Sequence, residues 1–104
     1  MRDDPIIPAE KCQTMKQVRT GVDAMDTQLV ALLTKRFAYM DAAARIKPAR
    51  EAVRDEERKA DVLKNVRQMA NQAGIPAGLT DSLWELLIEA SIAHEFDEWD
   101  KHKA

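Results

Sequence analysis

A single cysteine, Cys12, excludes any intrachain disulfide and is compatible with a reducing compartment. Glycine and proline are scarce, with 3 and 4 copies, and aromatic residues make up only 5% of the chain. β-Branched residues are also thinly spread, and no segment reads as a strand. There is no excess of positive charge, because the formal net charge is −2, so no global basic field points to nucleic acid. No apolar run approaches the ~20 residues that a membrane span requires. The start, Met1-Arg2-Asp3-Asp4-Pro5, lacks the apolar stretch of a signal peptide, and a cytoplasmic location is the expectation.

What remains is helix-forming material. Ala, Leu, Met, Glu, Lys, Arg and Gln dominate. Hydrophobic residues at 45% and charged residues at 33% suit one globular domain rather than a disordered chain. Residues 1–13 carry Pro5 and Pro8 without periodicity and read as a flexible N-terminal arm. Residues 14–104 read as one helical domain of three helices.

Thr14 is placed to cap the first helix. From Met15 the apolar residues Val18, Val22, Met25, Leu29, Leu32, Leu33, Phe37 and Met40 recur at steps of three and four, the mark of one buried stripe. Only Gly21 weakens the pattern before Pro48 ends it. At ~1.5 Å per residue, a helix over 14–47 is about 50 Å long. A compact domain of this length has a radius of gyration of about 13 Å. One chain cannot cover both ends of such a rod, so the expectation is an all-α homodimer with a shared core.

A short connection over 48–53 leads to a second helix opened by Arg54-Asp55-Glu56-Glu57 and stopped by Gly74. Its apolar face is Val62, Leu63, Val66, Met69 and Ala70. A third helix, expected to be capped by Thr80 or Asp81, carries two stripes. One holds Leu83, Leu87 and Ala90; the other holds Trp84, Ile88, Ser91, Ile92 and Trp99.

Polar residues interrupt these apolar faces. Arg36 falls on the stripe of the first helix. Lys47 lies eleven residues on, about 20° away around the helix, so both leave nearly the same face. Glu95 continues the stripe of Trp84, Ile88 and Ser91. A buried charge is costly unless paired. Each residue alone reads as a snorkelling side chain or half of a plain ion pair. Two cations and one carboxyl group together read as a pocket for an anionic ligand.

The ordered set Arg19, Asp26, Arg36, Lys47, Arg54-Asp55, Arg58, Ser91 and Glu95 resembles the all-helical chorismate mutase family, over roughly residues 14–99. The spacing Arg19-x16-Arg36-x10-Lys47 matches the family's first helix without a gap. One residue is missing in the 48–53 loop. The resemblance implies an intertwined homodimer and the rearrangement of chorismate to prephenate, without cofactor or metal. The substrate is a small dicarboxylate, chorismate or isochorismate. It also implies roles. Arg36 binds one carboxylate and Arg58 the other. Lys47 donates to the ether oxygen, Asp55 contacts the ring hydroxyl and Ser91 positions the substrate. Arg19 lies about 25 Å along the helix from Arg36. It must therefore reach a site from the partner chain.

Two residues depart from the common family pattern. Glu95 stands where many members carry Gln, although some carry Glu. Only a protonated carboxyl can donate to the ether oxygen, so activity is expected to rise as pH falls. Lys59 stands where many carry Glu; it adds a cation at the pocket edge or points to solvent. The nearest rival on this scaffold is isochorismate pyruvate lyase, which the segment around Cys12 and the short 48–53 loop resemble. Asp55 and Glu95 favour the mutase. A non-catalytic helical interaction module is the third reading, disfavoured by the inward cations. Metal binding is set aside, because His94 and His102 form no ligand spacing with a third donor in sequence. Trp84 and Trp99 are assigned to the core. No appended regulatory domain and no feedback regulation are expected.

Overall fold

The computed structural model describes residues 4–103 and is helical throughout, with no strand among the described residues. Helix α1 runs Met15–Ile46, α2 runs Glu56–Ala73 and α3 runs Ala77–Lys103. Short 3-10 turns occupy Ala9–Lys11 and Arg50–Ala52. None of the described helices is long and apolar enough to cross a membrane.

Local sequence signals fix the helix ends. The Thr14 hydroxyl accepts from Gln17 N at 3.1 Å, while Gln17 Oε1 accepts from Gln13 N at 2.7 Å. This reciprocal box satisfies backbone donors that the first turn would otherwise leave open. Asp55 caps α2 by accepting from Arg58 N at 3.0 Å, with Glu56 and Glu57 following in the first turn. Gly74 closes α2 at φ 75°, a left-handed conformation open to glycine at little steric cost. Its N–H bonds Asn71 O, and Ile75 N bonds Ala70 O, which together form a Schellman stop.

The start of α3 differs from the sequence expectation. The helix begins at Ala77, directly after Pro76, and not at Thr80 or Asp81. Proline suits a helix start, where its missing N–H is no loss. Thr80 is instead buried inside the first turn, its hydroxyl donating to Ala77 O at 3.1 Å.

The chain divides into two compact units, one ending at Arg36 and the other starting at Phe37. In the first, residues 6–12 lie along the start of α1. Ile6, Ile7, Pro8, Cys12, Val22 and Met25 line an apolar groove of about 320 Å³. The stripe expected to be buried is largely open in the single chain. Val18, Val22, Met25, Leu29, Leu32 and Leu33 are 38–60% exposed. A helix of 32 residues presents more apolar surface than this one chain covers.

In the second unit α2 packs on α3, and the turn at Arg50–Ala52 also rests on α3. The core is small: Ala44, Val53, Val66, Ala70 and Ile88. Ile88, Ser91 and Glu95 form one buried row on α3, at helical steps of three and four. The other expected stripe faces outward, with Leu83 and the neighbouring Leu86 exposed.

Candidate active site

Two buried polar residues in the core of the second unit need an explanation. Ser91 and Glu95 are each only 3% exposed. The Ser91 hydroxyl donates to Leu87 O at 2.7 Å, one turn back. The Glu95 carboxylate meets Lys47, whose Nζ lies 2.9 Å from Oε2. Lys47 Nζ also donates to Val53 O at 3.4 Å, and its side chain remains 29% exposed. The pair is therefore buried on the glutamate side and open on the lysine side. The two residues stand 48 positions apart in sequence, and the fold joins them.

The position of Lys47 follows from its neighbours. Its N–H still bonds Ala43 O at 2.9 Å, so it closes the last turn of α1. Pro48 then prevents the helix from continuing. The connection is clipped to α3 at two points. Trp99 Nε1 donates to Lys47 O at 3.4 Å. Arg50 forms a bidentate pair with Asp100 at 2.9 and 3.2 Å, and its guanidinium sits 4.5 Å from the Phe96 ring centroid. Trp99 thus has a polar task besides the packing assigned to it from sequence. The clip combines residues from 47–50 and 96–100, and no local sequence pattern announces it.

At the start of α2 the expected residues take different positions. One oxygen of Asp55 is occupied as the helix cap. The exposed Arg58 guanidinium makes no ion pair among the described residues. Lys59 is mostly buried and bonds both Glu85 at 2.7 Å and Glu89 at 2.8 Å. It does not point to open solvent; its charge is spent between two carboxylates of α3. Glu89 also takes a bidentate pair from Arg54, at 2.7 and 3.2 Å. Hydrogen bonds from Arg54 and then Lys59 pull the Glu89 carboxyl down to about 2.

Arg19 and Arg36 belong to the first unit. Arg19 is exposed, and Arg36 is half-buried.

The match to known proteins decides how this arrangement is classified. Residues 18–96 match the family model of chorismate mutase type II, well over half of the chain. The chain belongs to that family. It is also 29% identical over 90 residues to the isochorismate pyruvate lyase of Pseudomonas aeruginosa, covering 86% of this chain and 89% of that one. The chorismate mutase type II match contains Arg19, Arg36, Lys47, Asp55, Arg58, Ser91 and Glu95.

One further cluster escaped the sequence reading of this family member. Asp41, His94 and Glu98 bring their ligand atoms within 4.8 Å of one another. His94 and Glu98 are one helical turn apart, a spacing legible in sequence. The third acidic or imidazole group, Asp41, comes from α1, 53 residues before His94 in sequence.

Proposed function

We propose that the protein is a cytoplasmic chorismate mutase that converts chorismate to prephenate as a homodimer. The observation that carries this reading is the buried Lys47–Glu95 pair, open on its lysine side, in a chain of the chorismate mutase type II family.

The rearrangement breaks a C–O bond as a C–C bond forms, with no proton transferred and no covalent intermediate. The protein must hold a flexible dianion in a reactive shape and stabilise negative charge growing on the ether oxygen. Lys47 Nζ supplies a cationic donor for that oxygen. Glu95 helps when protonated, by donating a second hydrogen bond and releasing Lys47 from its ion pair. When ionised it holds Lys47 and repels the growing charge. Arg36 and Arg58 hold the two carboxylates, Asp55 the ring hydroxyl through its second oxygen, and Ser91 the ring position. Lys59, neutralised by Glu85 and Glu89, braces α2 against α3 beside these groups.

The open stripe of α1 supports the dimer. Leu29 and Leu32 are 56% and 60% exposed, and a second copy covers such a stripe along its length. In that arrangement Arg19 serves the partner's site.

A second reading has its own support. The similarity to isochorismate pyruvate lyase spans most of both chains. That reaction would release pyruvate from isochorismate and leave salicylate, using the same cationic groups. Asp55 and Glu95 favour the mutase. Depletion assays with chorismate and with isochorismate separate the two readings. Turnover of chorismate to prephenate supports the proposal, salicylate formation supports the lyase, and loss of neither substrate supports a non-catalytic helical module.

A further inference from the structure

We propose that Asp41, His94 and Glu98 form a binding site for a divalent transition-metal cation of the Zn²⁺ class, separate from the Lys47–Glu95 pair. The imidazole Nε2 of His94 lies 2.6 Å from Asp41 Oδ1, and a Glu98 oxygen completes a group within 4.8 Å. One imidazole and two carboxylates match the preference of such cations for nitrogen and oxygen ligands. Ligand atoms of a tetrahedral Zn²⁺ centre stand about 3.3 Å apart, given bonds of about 2.0 Å. The His94–Asp41 separation of 2.6 Å is shorter than that value, and all three ligand atoms lie within 4.8 Å of one another.

Asp41 projects from α1, and His94 and Glu98 project from successive turns of α3. Phe37 packs edge-on against the His94 ring, with centroids 5.2 Å apart and planes at 88°, which fixes the ring's orientation. The side chains are partly open, at 51% for Asp41, 34% for His94 and 20% for Glu98, so an ion can enter and keep water in its remaining positions.

Electrostatics also favour a cation. Two carboxylates and one imidazole share the cluster. The charges near the cluster include Lys101, which pairs with Glu98 Oε1 at 3.0 Å, His102, 4.0 Å from Glu98 Oε2, and Arg45, one helical turn from Asp41 on α1. Asp97 adds a further negative charge nearby. Lys101 and His102 lie by the two oxygens of Glu98, so an entering ion competes with them for that carboxylate.

Bound there, the ion links α1 to α3. The test is calorimetric titration of the metal-stripped protein with ZnCl₂, paired with thermal unfolding. The expected result is one Zn²⁺ per chain, a higher Tm with metal, and at least tenfold weaker binding in both His94→Gln and Asp41→Asn. Cys12→Ser should bind as the parent does. Binding that survives in the His94→Gln/Asp41→Asn double variant, or that disappears in Cys12→Ser, overturns the proposal. So does weak uptake without defined stoichiometry, the behaviour of an adventitious ion only.

Discussion

Replacing Glu95 with Gln is the most informative single change. It removes one negative charge 2.9 Å from Lys47 Nζ, yet keeps the side chain's shape and an oxygen that Nζ can still donate to. At an effective permittivity near 20, two unit charges about 4 Å apart interact by ~4 kcal/mol. The ether oxygen gains only part of a charge in the transition state. Taking half a unit, an ionised carboxylate at that distance raises the barrier by about 2 kcal/mol. Relief of that term speeds the reaction by roughly 30-fold, at ~1.36 kcal/mol per tenfold. The amide N–H₂ adds a donor that needs no proton from solvent. Glu95→Gln should therefore raise kcat/KM for chorismate at neutral pH by roughly 30-fold. The assay is steady-state loss of chorismate at neutral pH, for both proteins. A variant no faster than the parent refutes the reasoning.

The acid side of stability has a different owner. Glu89 is held at about 2 against an ordinary 4.5, so its pairs with Arg54 and Lys59 stabilise the fold fully above about pH 4.5. That contribution is lost as pH falls through about 2, and urea midpoints should drop across this window more steeply in the parent than in Glu89→Gln; equal slopes would contradict the assignment. Asp55→Ala removes the α2 cap and should lower stability by about 1 kcal/mol in urea titrations, while Asp55→Asn retains most of it. The same Asn variant should still lose activity if the carboxylate serves the ring hydroxyl. Arg19→Ala and Arg36→Ala should each be nearly inactive, but mixed and reassociated chains should regain about a quarter of parent activity, because half the dimers are mixed and each mixed dimer has one intact site. No recovery would place both arginines in one chain's site.

Much of this was readable from local pattern. Thr14, Pro48, Asp55 and Gly74 set helix ends through contacts within a few residues, so sequence spacing reveals them. Glu95 stood out because a charge on an apolar stripe demands a partner, and Lys47 proved to be that partner. The stripe of α1 gave the apolar face but not its cover; periodicity says which side is apolar and nothing about what lies against it. Lys59 was undecided for the same reason, since its partners Glu85 and Glu89 are on another helix. The clip of Trp99, Arg50 and Asp100, and the meeting of Asp41 with His94, join segments about 50 residues apart and become visible only when the chain is folded. The early start of α3 is hard to read in sequence because Gly78 is a poor helix former, whereas Pro76 in front of it suits a helix start.

The central claim is that this fold uses Lys47 and Glu95 to rearrange chorismate. Steady-state kinetics of the parent protein on chorismate and on isochorismate tests it most directly. The account predicts prephenate from chorismate and little salicylate from isochorismate. Salicylate formation as the faster reaction, or turnover of neither substrate, would contradict it.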